Sequence, residues 1–504
     1  IDILSKSYIK IDGGTNGLIK NTANGTALAN LQTSLGIYVY SSSNIEICNL
    51  YIDDIYQNGG SDPNATDIAG QSTADIKLYG DNSNVSIHDC DLRASRTGIS
   101  VDFSSSDISN INIYDNYIAE HCWHISLAAG NGGETTENIR IYGNEITDWA
   151  DWVCPGGSTA GYCKSGIDKY HTDGIIAYQP CHNTDPLSPL IYNNYFHGSL
   201  GGGSSTAFIF TTYGGGTKAI TIGGSAVDVG GGVVGIPCVG HGYVAGEWLS
   251  LTGTVNYNGE YIVQEGTTTN QINILATYAA ETFASGDTVV GVMGSSPKIY
   301  NNLIIMDGGM DSYRNWGICA AGSNAEIYSN TIISKSNLKG DCFMLSGVLT
   351  TLENNICSTA KSGVSSYSLS FSDNGHTIDN NLYYNINTGT SSTMFHQNES
   401  YPQSEDFFTW AEWQAMGFDL NSYYENPNLT ASYHLQSTSG NAIDHGATLD
   451  AAYNTDKDGN AWTRTGTWDI GAYEYRLVPN ISNFGTGAIT ITPNNAGAIA
   501  VTPY

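Results

Sequence analysis

The chain has 504 residues, of which 59 are glycine, 33 are tyrosine and only 13% are charged, the profile of a turn-dense all-β protein. Its formal charge of −30, from 48 acidic and 18 basic residues, argues against nucleic acid or an anionic membrane as partner. No stretch is long and apolar enough to insert into a bilayer, and ten cysteines are too few for a disulfide scaffold of this length.

The opening segment, Tyr8-Ile-Lys-Ile-Asp-Gly-Gly, reads directly as strand and turn, and Ile1 is not preceded by Met, so a leader and earlier coils are expected ahead of it. A phrase then recurs as Ile47-Cys-Asn-Leu, Ile87-His-Asp-Cys, Ile113-Tyr-Asp-Asn, Ile141-Tyr-Gly-Asn and Ile191-Tyr-Asn-Asn. It returns as Ile299-Tyr-Asn-Asn, Ile327-Tyr-Ser-Asn, Leu352-Glu-Asn-Asn and Ile378-Asp-Asn-Asn. Several neighbouring copies stand 25 to 28 residues apart. That period marks a solenoid in which each repeat buries its apolar side only by stacking on the next. The runs alternate and are rich in Ile, Tyr and Val, so the fold class is all-β and the architecture a parallel β-helix. Asn at one place in successive coils is expected to form a hydrogen-bonded ladder of side-chain amides.

Along the chain, Asp53, Asp54, Asp62 and Asp67 crowd one loop that would suit Ca²⁺, although a solvated acidic loop is the simpler reading. No other cofactor is implied. The 50 residues from Ile141 to Ile191 leave room for an extra loop around 148–166 that holds Trp149, Trp152 and Tyr162. Cys154 and Cys163 bracket part of it and would close it as a disulfide. Cys122, Cys319 and Cys342 lie in strand-like runs and are expected as buried thiols. No CxxC pair appears, so spacing implies no zinc site. The expected division is 1–214 as the first part of the β-helix, 215–296 as an inserted small β domain, 297–476 as the continued β-helix with its cap, and 477–504 as a linker or the start of a further module. Within the insertion, His241-Gly-Tyr and Gly253-Thr-Val-Asn-Tyr-Asn-Gly resemble a small β module of bacterial and phage surface proteins. After Tyr383 the period fades, and Asp406 to Phe418, with Trp410 and Trp413, is expected to hold a short helix capping the last coil.

The closing series Tyr433-His-Leu-Gln-Ser, Ala442-Ile-Asp-His-Gly, Asp456-Lys-Asp-Gly, Arg464 and Asp469-Ile-Gly-Ala-Tyr-Glu-Tyr resembles the end of a large family of secreted bacterial right-handed parallel β-helix proteins, which implies a right-handed solenoid. The resemblance implies a secreted or cell-surface location. It implies architecture more than activity, because that family holds polysaccharide lyases, glycoside hydrolases and proteins of no known activity.

Stacking the coils by the repeated phrase aligns the strands that follow it, beginning at Gly98, His124, Gly174, Ala207 and Gly317. One place earlier the column reads Thr97, Trp123, Asp173, Thr206 and Trp316; three places earlier it reads Ser95, His121, His171, Ser204 and Arg314. The sharpest phrase is Asp168-Lys-Tyr-His-Thr-Asp173-Gly, whose His-x-Asp-Gly-Ile resembles a turn of several β-helix polysaccharide-degrading enzymes. The paired Asp-Asp and Gly-His-Gly of the pectin-cleaving hydrolases do not occur in the right order, so only a functional role for Asp173 and His171 is carried over.

A polysaccharide is therefore the expected partner, and hydrolysis the favoured reaction because basic residues are scarce. Asp173 would be acid or base, paired with Asp168, Asp148 or Asp151. His171 and His121 would orient the substrate; Trp123, Trp149, Trp152, Tyr170 and Trp316 would meet sugar rings. A lyase would instead use His171 or Lys169 with Arg314, Arg93 or Arg96. A non-catalytic adhesin is the third reading. Against all three stand the plain ones: Asp-Gly as a turn, stacked His as a ladder or metal site, Trp as a loop anchor.

Overall fold

The computed structural model describes residues 1–21, 34–55, 73–103, 106–129, 135–149, 172–178, 182–183, 189–198, 206–212, 217–241, 243, 245, 248–284, 288–292, 297–307, 315–321, 325–335, 340–346, 350–360, 369–372, 376–389, 394–398, 405–460 and 467–476. Among these, two long sheets enclose the core, one of twelve strands and one of twenty, and all their pairings are parallel except Phe395–Asn398 with Glu405–Phe408. The fold is a parallel β-helix. A typical coil gives one strand to the smaller sheet, such as Trp123–Ala129, and two to the larger, such as Thr135–Tyr142 and Glu145–Trp149.

The repeated phrase builds each coil letter by letter. Its Ile enters the core: Ile87, Ile113, Ile141, Ile191, Ile299 and Ile327 are all fully buried. The next residue lies on the outer face, where His88, Tyr114, Tyr142, Tyr192 and Tyr300 stack ring on ring with centroids 4.7, 5.0, 5.0 and 4.9 Å apart. The third residue turns the corner with positive φ, at Asp89, Asp115, Gly143, Asn193, Asn301, Ser329, Asn354 and Asn380. Asn, Asp and Gly tolerate that conformation best, which explains the composition of this slot. The fourth residue forms the expected ladder. Asn116, Asn144, Asn194, Asn302, Asn330 and Asn355 each donate a side-chain N–H to the amide oxygen of the next Asn along the ladder, at 2.9–3.1 Å, ending on Asn381. The same oxygens also accept a backbone N–H of the preceding coil's Asn, so these buried amides are satisfied inside the corner. Leu50 and Cys90 occupy the slot in the first coils, and Asn116 ends the ladder there by accepting the Cys90 N–H at 3.1 Å.

At the far end the ladder closes on Asp419. The expected helix is Trp410–Ala415, opened by a capping box between Thr409 and Glu412. Its Trp413 is fully buried and stacks on Phe395 and Phe418, covering the last coil. The closing segment then lies across the outer face of the larger sheet as a strap. Asn301 donates to Thr455 O, Asn354 to Ala447 O and Asn380 to His445 O, while Lys457 donates to Asn193 O. Under it, Tyr453 and Trp468 cover Tyr300 and Tyr328, and Ile470, Leu435 and Ala442 cover Ile356 and Leu382. Asp456 accepts from the backbone N–H groups of Asp458, Asn460 and Glu474, a turn of the strap.

Between strands Thr206–Thr212 and Lys298–Tyr300, the chain forms antiparallel sheets from Thr217 to Val292 around a separate core that includes Tyr243, Leu249, Tyr257 and Ile272.

Two expectations are corrected. Cys342 is not a thiol: it is disulfide-bonded to Cys357, with Cα atoms 5.9 Å apart, joining the two sheets of one coil. Cys122 and Cys319 are buried, as expected. The aligned column contains Ala207, not Thr206, because Asp173 pairs with Ala207 and Ala207 with Trp316. Phe208 therefore falls beside Gly174 and Gly317. A Cβ on Gly174 would meet Phe208 O at 2.4 Å and the Phe196 ring at 3.1 Å, so the next coil's backbone and the Phe196 ring leave room only for glycine there.

Candidate functional site

Corrected for that one-residue shift, the column reads Thr97, Trp123, Asp173, Ala207, Trp316 and Asp341 over six coils. Trp123 and Trp316 are half-buried, and the Arg96 guanidinium lies over the Trp123 ring, 4.7 Å from its centre. Asp173 begins strand Asp173–Tyr178 and is fully buried. Its Oδ1 accepts the Ala207 N–H at 2.9 Å. Burial raises its carboxyl well above the usual carboxylate range, against the opposing pull of the Ala207 amide.

Beside this column a polar file runs through the solenoid interior. His121 Nε2 lies 2.8 Å from Asp75 Oδ2, and both residues are fully buried. Desolvation pushes the two groups in opposite directions, Asp75 well up and His121 well down, so the pair is neutral. The His121 ring meets His124 edge-on at 5.4 Å, His124 meets Trp149 at 4.6 Å, and Trp149 meets Phe208 at 4.8 Å. His124 spans the corner between two strands: Nε2 is 2.9 Å from Thr147 O and Nδ1 is 3.4 Å from Asp173 O. Burial lowers its pKa to about 4, so it carries one proton, and the shorter contact places that proton on Nε2.

His121 and Trp149 thus lie inside the solenoid and not on a groove, because each finds its contacts among core residues. Of the partners considered for Asp173, Asp148 is described: it is exposed, with φ 50°, next to the Thr147 carbonyl that His124 holds. Asp173 and Asp148 therefore stand at the two ends of one buried histidine. Asp151, Trp152, Asp168, Lys169, Tyr170, His171 and Arg314 lie outside the described residues, and so do Cys154 and Cys163. Arg93 is bound to Asp91 at 2.7 Å and lies over the Tyr117 ring, on the larger sheet and away from the column.

Sequence reasoning missed Asp75 and His124. Asp75 is 46 residues from its partner, and His124 occupies a place that reads as glycine in the neighbouring coils. The signal available was the polar letter itself, an Asp or His where the column otherwise holds small or apolar residues. No helix among the described residues is long and apolar enough to cross a membrane. Compared with known proteins, the chain matches no family model, and no curated protein matches its sequence.

Proposed function

We propose that this β-helix binds an extended polysaccharide along the Trp123–Asp173–Trp316 column and hydrolyses it there. The observation that carries the reading is a buried Asp173, its carboxyl raised by desolvation, joined through His124 to the strand end that carries the exposed Asp148. Glycoside hydrolysis needs two carboxyl groups in contrasting environments, one holding a proton for the leaving oxygen and one without it. The half-buried Trp123 and Trp316 flank Asp173 along the axis, where they would meet sugar rings. A disulfide inside a coil suits an oxidising compartment, and the closing segment resembles secreted β-helix proteins; both support a secreted location.

Full burial of Asp173 favours a second reading, a glycan-binding protein without catalysis, in which Asp173 only holds the Ala207 amide. Neutral and acidic polysaccharides incubated with wild type, Asp173→Asn and Asp148→Asn separate the readings. Hydrolysis predicts new reducing ends without unsaturated uronate absorbance, reduced at least a hundredfold in either variant. Absorbance appearing with the reducing ends makes the protein a lyase. Binding without cleavage on every glycan makes it an adhesin.

A further inference from the structure

The outer-face column that carries the tyrosine stack begins with different chemistry. Strand pairing puts Asp12 beside Cys48, Cys48 beside His88 and His88 beside Tyr114. Glu46 shares a strand face with Cys48, two residues away. One donor atom each from Glu46, Cys48 and His88 lies within 4.8 Å of the others. Glu46 Oε1 is 3.3 Å from His88 Nε2 and 3.8 Å from Cys48 Sγ. Donor atoms around a tetrahedral zinc ion stand roughly 3.3 to 3.6 Å apart, so the Glu46–His88 separation already matches and Cys48 Sγ needs only a small side-chain adjustment.

The imidazole is held for the purpose. Its face stacks on Tyr114 at 4.7 Å, 9° from parallel. Its Nδ1 lies 2.7 Å from Asp89 Oδ2, a contact in which the ring N–H donates to the carboxylate. Nε2 faces Glu46 Oε1 at 3.3 Å, so the free ring nitrogen and the carboxylate converge on the same point as Cys48 Sγ. In the ion-free state Cys48 Sγ donates to Glu46 Oε1 at 3.8 Å and accepts from Asn49 Nδ2 at 3.6 Å, contacts that an ion would replace. A carboxylate on the far nitrogen of a histidine is the usual support of a metal-binding imidazole.

We propose that Glu46, Cys48 and His88 bind a zinc-class divalent ion, with Asp89 orienting the imidazole and water completing the tetrahedron. The ion would join two successive coils. Lys10 Nζ, 2.9 Å from Glu46 Oε1, competes for the same carboxylate.

Chelator-treated protein titrated with Co²⁺ tests this directly. The expected result is a near-ultraviolet thiolate-to-cobalt absorption that saturates at one equivalent and is discharged by Zn²⁺. Cys48→Ser abolishes the band, His88→Gln weakens binding at least tenfold, and Asp89→Asn weakens it about 10- to 100-fold. Lys10→Met strengthens it. Should Cys48→Ser fail to fold, Glu46→Gln and His88→Gln carry the test, with zinc retained after gel filtration as readout. A band that persists in Cys48→Ser, Co²⁺ affinity unchanged in His88→Gln, or no Zn²⁺ retained by wild type overturns the proposal.

Discussion

The side-chain amide of Asn381 donates to Asp419 Oδ1 across 3.1 Å, so a row of neutral amides ends on a titratable carboxyl. Tyr383, Trp413 and Ser422 donate to the same group, which is fully buried. Burial outweighs these donors and raises its pKa from 3.8 to about 6. The folded state therefore holds a proton that the unfolded chain releases. The stabilisation from that proton is complete below pH 3.8, declines as pH rises toward 6 and is absent above it. The range is on the order of 2–3 kcal/mol. Urea melts of wild type should show a midpoint falling between pH 4.5 and 7, and Asp419→Asn should lose that part of the slope.

Within the ladder, Asn302 donates to Ile191 O, Tyr300 O and Asn330 Oδ1, and accepts from the Asn194 backbone and side chain. Asn302→Ala leaves donors and acceptors of three coils buried without partners. A loss of about 2–4 kcal/mol is expected. Asn302→Asp should be as harmful at neutral pH, since it puts a charge where an N–H is needed. Equal denaturant midpoints for wild type and Asn302→Ala would show that the ladder adds nothing to stability.

The buried pair Asp75–His121 makes a test by double replacement. Asp75→Leu alone or His121→Phe alone strands a polar partner and should cost about 3–5 kcal/mol. The double variant removes both and should recover most of that loss. Additive losses in the cycle would mean that the two side chains do not act as a pair.

Gly471 sits where the strap touches the sheet, with φ 105°. A Cβ there would stand 2.6 Å from Ile356 Cδ1 and 2.9 Å from Thr331 Oγ1. Gly471→Ala should lift the strap, at a cost of about 2 kcal/mol or more. Limited proteolysis should then cut between 423 and 476 while the strand signal in circular dichroism remains. Unchanged protection would mean that the sheet accommodates the methyl.

The solenoid was legible because one four-letter phrase encodes core, outer face, corner and ladder, and each letter obeys a separate physical rule. The doublets Asn301-Asn302, Asn354-Asn355 and Asn380-Asn381 carried more than was read from them: the first Asn of each binds the strap and the second builds the ladder. Asp115-Asn116 and Gly143-Asn144 stand where no strap contact is made. The Ala207 register was not legible, because in its coil the bulk of Phe208 stands where the neighbours Gly174 and Gly317 have no side chain. Cys342 and Cys357 are 15 residues apart on different sheets, and no spacing rule pairs them. The candidate site was read only in part. The sequence brought Trp123, Asp173 and Trp316 together, but it could not show that His121 points inward to an Asp on another coil.

The strap also measures length. Its contacts run from the corner at Asn380, through Asn354, Thr331 and Asn301, to the corner at Asn193, and its own length is fixed. Removing one coil inside that interval would shorten the face by about 4.8 Å and leave every later contact out of step. Among the described residues, the strap's hydrogen bonds to the corners stop at Asn193, and ahead of it the face is held by ring on ring from His88 to Tyr192. The C-terminal half of the solenoid therefore has a set number of turns, whereas the N-terminal half can gain or lose one without breaking the strap.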